Sequence, residues 1–107
     1  MTTIRFHSSQ GRLTGFTCSG HSGCGVYGED IVCAAVTSAI RLTECTINDV
    51  LQAGAEVTVD ETNVRIALTL SPAGKRRKES EQVLEGLLLY MRALAEENPN
   101  HLTVLEV

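Results

Sequence analysis

The chain has 107 residues, of which 43% are hydrophobic and 21% are charged, and its formal net charge is -4 at pH 7. Such a composition is typical of one globular domain, residues 1–107, and it excludes a disordered chain. No apolar run approaches the roughly 18 residues of a membrane span, and residues 1–5 open a strand pattern rather than a signal peptide. We therefore expect a cytoplasmic protein without a membrane partner. The acidic balance disfavours nucleic acid as the main partner and suits a basic protein or peptide.

Alternating side chains predict a β-hairpin at the start of the chain. Ile4 and Phe6 alternate with polar residues, residues 8–11 mark a turn, and residues 13–20 have the pattern of a second strand. Four glycines then interrupt residues 20–28, so we expect a loop with unusual backbone freedom there.

A long apolar helix should follow this loop. Asp30 is a suitable N-cap, and the helix can run to about Gln52 before Gly54 ends it, which places Cys33 in the first turn. This helix is apolar nearly all round, whereas a helix on the surface of a sheet keeps one face wet. Something else must cover the second face, either the other helix or a second copy of the chain, and we favour a homodimer.

The remaining elements complete a two-layer domain. Residues 55–59 and 64–70 alternate as a second hairpin, residues 77–97 have helical spacing, and residues 102–107 form a last strand. The order β-β-α-β-β-α-β predicts an α+β fold in which two helices pack on one face of a mostly antiparallel sheet.

His21 and Cys33 make up a candidate nucleophilic site on either side of the glycine-rich loop. The unpaired N–H groups at a helix start favour a thiolate over a thiol, and the thiolate is the nucleophilic form of cysteine. A histidine close to such a cysteine can hold it as an ion pair and then protonate a leaving group.

Three pieces of sequence around this site resemble a known family. They are Gly20-His21, Tyr27-Gly28 and the run Asp-Ile-Val-Cys-Ala-Ala-Val-Thr at residues 30–37. Together they resemble the signature of the ribosomal-processing cysteine proteases called Prp. Prp enzymes are small bacterial proteins that remove an N-terminal extension from the twenty-seventh large-subunit ribosomal protein during ribosome assembly.

The resemblance implies a cysteine peptidase with Cys33 as nucleophile and His21 as its base, and no cofactor. Asp30 and Thr37 match the family's other polar motif positions as supporting residues. The substrate loop would comprise Gly20, Gly23, Gly25, Tyr27 and Gly28. Two departures stand out, because Thr37 replaces a more usual serine and Cys24 adds a thiol within the loop.

Simpler roles exist for several of these side chains. Asp30 could be an N-cap without a role in catalysis. The hydroxyl of Thr37 could likewise do no more than donate a hydrogen bond back to the helix backbone. We expect Cys18 and Cys45 to be packing residues, because a reducing compartment disfavours disulfides.

Two other kinds of function remain open. Cys18, His21, Cys24 and Cys33 supply soft ligands at compact spacing, as a small zinc-binding protein would require. The chain could also be a non-catalytic module that binds a ribosomal protein, although the joint presence of His21 and Cys33 counts against that function.

Overall fold

The computed structural model describes residues 1–20 and 29–107 of the chain. Its elements follow the order β-β-α-β-β-α-β that the sequence predicts. They are β1 (Thr2–Ser9), β2 (Arg12–Ser19), α1 (Glu29–Glu44), β3 (Glu56–Asp60), β4 (Arg65–Thr69), α2 (Arg77–Glu97) and β5 (Leu102–Glu106). A π-helical segment, Cys45–Val50, continues α1 before the chain turns into β3.

The strands form one mixed sheet in the order β3-β4-β2-β1-β5. The β1–β2, β2–β4 and β3–β4 pairs are antiparallel, and the β1–β5 pair is parallel. These directions make β2 parallel to β3 and β4 parallel to β5, so each helix is a crossover between two strands of like direction. The connection from β2 leads to one edge of the sheet, at β3, and the connection from β4 leads to the other edge, at β5. Because β2 and β4 are antiparallel, right-handed connections place both helices on the same face of the sheet. The predicted α+β fold is confirmed.

The core lies between this face of the sheet and the two helices. The aromatic rings of Phe6 and Phe16 face each other across the β1–β2 pair with their centroids 6.1 Å apart. Around them lie the apolar side chains of the other elements, among them Ile4, Cys18, Val32, Val36, Ile40, Ile47, Leu68, Leu84, Leu88, Met91 and Leu102. Burying one large apolar side chain of this kind stabilises a fold by roughly 1.5–3 kcal/mol.

The start of α1 differs from the prediction. The helix begins at Glu29, so Asp30 is its second residue rather than its N-cap, and Cys33 is its fifth residue. An acidic residue is favourable both as an N-cap and within the first turn. Composition alone therefore could not distinguish the two positions.

The end of this helical region is close to the prediction. Gln52 has φ 53° and Gly54 has φ 68°, so the helix ends through left-handed backbone. The side-chain amide of Asn48 then fixes the turn into β3, because its Oδ1 accepts from the Ala55 N–H at 2.7 Å and its Nδ2 donates to the Ala55 carbonyl at 3.1 Å.

The expectation about membrane-spanning length is wrong for this helix. Among the described helices, the segment Ile31–Val50 is long and apolar enough to cross a membrane by length and composition alone. Core helices of globular domains have the same property, and here Val32, Val36 and Ile40 are buried in the core.

A group of charges attaches the start of α2 to the first hairpin. Arg12 of β2 donates to both carboxylate oxygens of Glu81, at 3.0 and 2.7 Å, and Arg77 donates to the same carboxylate at 3.0 Å. The hydrogen bond from Arg12 is the main reason that the pKa of Glu81 is lowered, so this carboxylate is ionised at neutral pH. The basic run at residues 75–78 is thus partly used in structural ion pairs.

Two glycines provide a matched test of how closely β2 and β4 pack against each other. A Cβ at buried Gly15 would overlap the Leu68 backbone carbonyl of the adjacent strand, whereas a Cβ at Gly86 on α2 would meet open space. We expect Gly15→Ala to lower the free energy of unfolding by about 1–3 kcal/mol, as overpacking does. Gly86→Ala should raise it by about 0.5–1 kcal/mol, because glycine is a poor helix former. Urea denaturation of both variants measures the difference, and equal stability of the two would contradict the strand spacing described here.

Candidate active site

Cys33 lies near the start of α1, on the side of the helix that meets the sheet. Its side chain is partly buried, and it is flanked along the helix by the fully buried Val32 and Val36. The thiol of Cys18 on β2 lies close enough to Cys33 that a negative charge on one affects ionisation of the other. The structure therefore brings together the start of α1 and the end of β2, as the candidate site requires.

Cys18 and Cys33 are in very different surroundings. Cys18 is 0% exposed, and burial raises the pKa of its thiol to about 12, with a further contribution from the charge at Cys33. A thiol with such a pKa stays protonated at neutral pH and is a poor nucleophile. Cys18 is therefore not a candidate nucleophile, and the prediction that it is a packing residue is confirmed.

Cys45 was expected to be a packing residue, and this prediction is wrong. Its side chain is exposed on the π-helical segment. A hydrogen bond to the Asp49 carboxylate is the main reason that the pKa of the Cys45 thiol is raised. Ser38, Arg41 and Leu42, which precede Cys45 by seven, four and three residues, are exposed as well, so helical spacing places Cys45 on the outer face of this helical region.

The backbone at the end of β2 is closely fitted to its neighbours. Gly20 has φ 80°, and its N–H donates to the Val64 carbonyl at 3.2 Å. A Cβ at Gly20 would approach the Met1 carbonyl oxygen to 2.7 Å. Both the backbone angle and the available space therefore require glycine at this position.

Most of the predicted loop lies outside the described residues. This applies to His21, Gly23, Cys24, Gly25, Tyr27 and Gly28, so their predicted roles stay predictions. For Asp30 the structure describes the backbone, within the first turn of α1. Thr37 is exposed one turn after Cys33.

Thr37 also lines a groove that the sequence did not predict. The groove has a volume of about 580 Å³ and lies between α1 and the hairpin of β3 and β4. Its lining residues are Cys18, Val36, Thr37, Ile40, Arg41, Glu44, Val59, Asp60, Glu61, Val64, Arg65 and Ile66. One signal was available in the sequence, since Val59 and Ile66 occupy the apolar positions of two alternating strands.

A metal site finds no support among the described side chains. They contain no group of three His, Cys, Asp or Glu residues that could hold a metal ion. Two of the four proposed zinc ligands, His21 and Cys24, lie outside the described residues, so the zinc hypothesis stays a prediction.

Comparison with solved structures shows the same fold. The essential ribosomal processing protease Prp from S. aureus, in complex with a substrate peptide, has a TM-score of 0.89 and 18% identity, with 100% of both chains covered. The same protease with a covalently linked product peptide has a TM-score of 0.86 and 19% identity over 100% of both chains. SMU.848 from Streptococcus mutans has a TM-score of 0.90 and 26% identity, covering 100% of this chain and 94% of the other.

Comparison of the whole sequence with protein families assigns the chain to one of them. No curated protein matches it. The family model described as cysteine protease Prp, however, matches residues 1–103, well beyond the motif at residues 20–39. The resemblance that the motif predicts is therefore confirmed, and the chain belongs to the cysteine protease Prp family of cysteine peptidases.

Proposed function

We propose that this protein is an endopeptidase that removes the N-terminal extension of the twenty-seventh large-subunit ribosomal protein during ribosome assembly. The observation that carries the proposal is the position of Cys33 in a Prp family chain, partly exposed at the start of α1 beside a protonated thiol. The substrate peptide bound to the S. aureus protease supports a protein substrate here too. The cytoplasm is where such a substrate is made, so we place the enzyme there.

The proposed reaction uses Cys33 as nucleophile and His21 as acid and base. The Cys33 thiolate attacks the scissile carbonyl carbon, and the carbonyl electrons move to the oxygen. His21 then donates its proton to the leaving amine as the C–N bond breaks, which leaves an acyl-enzyme. Water, deprotonated by His21, attacks this thioester and releases Cys33. Backbone N–H groups near the helix start or in the glycine-rich loop can stabilise the oxyanion.

The helix contributes less to the thiolate than the sequence suggested. The field of a helix N-terminus falls off within the first turn, and Cys33 is the fifth residue of α1. More of the stabilisation of the thiolate must then come from a positively charged neighbour. His21, which follows Gly20 directly in the chain, is our candidate for that charge.

We also infer that the protein acts as a homodimer through the outer surface of its helices. Leu42 on α1 is 69% exposed and Tyr90 on α2 is 51% exposed, and both line a groove of about 490 Å³ between the helices. Small residues such as Ala35 and Ser38 line the same groove, so another helix could approach it closely. An apolar surface of this kind is favourable only when it is covered.

The nucleophile is tested by substitution of two cysteines. Cys33→Ala should reduce cleavage of the ribosomal protein from the same genome by several orders of magnitude while the fold remains. Cys45→Ser is the control, because the exposed thiol of Cys45 lies on the π-helical segment, twelve residues after Cys33. This variant should keep full activity. Product mass measures cleavage, and the proposal fails if Cys33→Ala still turns over substrate at the wild-type rate.

The role of His21 is tested by the pH dependence of alkylation. If His21 holds Cys33 as an ion pair, iodoacetamide should still label Cys33 rapidly at about pH 6, where an ordinary thiol is almost fully protonated. His21→Ala should slow this labelling sharply at that pH, but little at about pH 9. Peptide mapping separates Cys33 from the other thiols. Identical rates for both proteins at low pH would exclude an ion pair in the free enzyme.

The homodimer is tested by light scattering after size exclusion. The wild type should have twice the chain mass, and Leu42→Asp should shift it towards the monomer, because a charge would be buried at the contact. Val59→Asp is the control, since Val59 is similarly exposed, at 63%, but lies on β3. A monomeric wild type at all concentrations would contradict the inference.

A further inference from the structure

One row of side chains crosses the whole sheet on the face that carries the helices. The strand registers pair Val104 with Ile4, Ile4 with Cys18, Cys18 with Ile66, and Ile66 with Val59. Ile4 and Cys18 are 0% exposed, Ile66 is partly buried, and Val59 is 63% exposed. The apolar surface of the core therefore continues past the helices to the open edge at β3.

The groove of about 580 Å³ lies over this uncovered end of the row. Its floor is apolar, from Cys18 and Ile66 of the sheet and Val36 and Ile40 of α1. Its size falls within the range of roughly 300–1,000 Å³ that is usual for specific ligand sites. The groove is thus an apolar concave surface that none of the described side chains covers.

The outer wall of the groove is held in place by its own turn. The Asp60 carboxylate accepts from the Asn63 backbone N–H at 3.1 Å and from the Asn63 side-chain amide at 2.7 Å. These hydrogen bonds are the main reason that the pKa of Asp60 is lowered, so the turn keeps them at neutral pH. A wall of this kind exists before any ligand binds.

The groove begins beside the proposed nucleophile. Val36 and Thr37 follow Cys33 by three and four residues, so they lie on the same side of α1. With a rise of 1.5 Å per residue, Ile40 is about 10 Å further along the helix axis than Cys33. This distance equals about three residues of an extended peptide.

We propose that this groove binds an apolar side chain of the substrate, two to four residues from the scissile bond, and so determines cleavage specificity. The inference rests on the proposed function, in which a substrate peptide must pass Cys33. The charged side chains that line the groove are of both signs, Arg41 and Arg65 against Glu44, Asp60 and Glu61, so only one negative charge is in excess around the apolar floor. Such a site selects an apolar side chain rather than a charged one.

The first test uses the wild-type enzyme and a series of substrate peptides. Each position within four residues of the scissile bond is replaced in turn by aspartate, and kcat and KM are measured. We expect aspartate at one apolar position two to four residues from the scissile bond to lower kcat/KM by at least roughly tenfold, because it removes an apolar contact and places a charge in an apolar groove. If no position two to four residues from the scissile bond requires an apolar side chain, the inference is wrong.

The second test asks whether that position contacts the groove. Val59→Asp places a charge in the groove, whereas Thr58→Asp places the same charge on the opposite face of β3. Val59→Asp should lower kcat/KM for the parent peptide at least tenfold, and Thr58→Asp should change it little. For the aspartate-substituted peptide, Val59→Asp should add little further loss, because the contact is already absent. Fully additive losses would place the apolar contact elsewhere.

A chemical control separates this inference from the proposed function. Iodoacetamide is too small to need the groove, so it should label Cys33 in the Val59→Asp variant as fast as in the wild type. If Cys33→Ala still cleaves substrate, the proposed function fails. If Cys33→Ala is inactive but Val59→Asp and Thr58→Asp cleave all peptides equally, only the groove inference fails.

Discussion

The structure depends on one constraint, the right-handed connection between strands of like direction. α1 joins β2 to β3 and α2 joins β4 to β5, and within each pair the strands run the same way. Two right-handed crossovers that travel oppositely from opposed strands reach the same face of the sheet. The core therefore forms on that face of the sheet, and neither helix covers the opposite face. The positions of Cys18 and Cys33, the described cysteines near the candidate site, follow from this arrangement.

The same connection gives Cys33 its chemical surroundings. Because only residues 20–28 separate β2 from α1, the first turns of α1 lie near the end of that strand, and Cys33 comes to lie near Cys18. Burial keeps Cys18 neutral, and two adjacent thiols do not both ionise. The buried thiol of Cys18 therefore behaves as an apolar side chain, and the partly exposed thiol of Cys33 is the one of the pair that solvent can reach.

The crossover also leaves part of the sheet uncovered. Two helices cannot cover five twisted strands evenly, and here the uncovered end is the hairpin of β3 and β4. The apolar surface of Val59 stays exposed to water in the free domain, and covering such a surface is favourable. The site that we propose for substrate is therefore the part of the core that folding leaves incomplete.

The sequence by itself determined the order of elements, the fold class and the family. Periods of two and of 3.6 residues identify strands and helices locally, and the motif around His21 and Cys33 is likewise local. The tertiary structure decided which residues are exposed and which meet. The exposure of Cys45, the approach of Cys18 to Cys33 and the groove beside Thr37 all depend on pairing between distant strands and on the exact path of α1. No local pattern specifies these contacts, because burial depends on what packs against a side chain and not on the side chain alone.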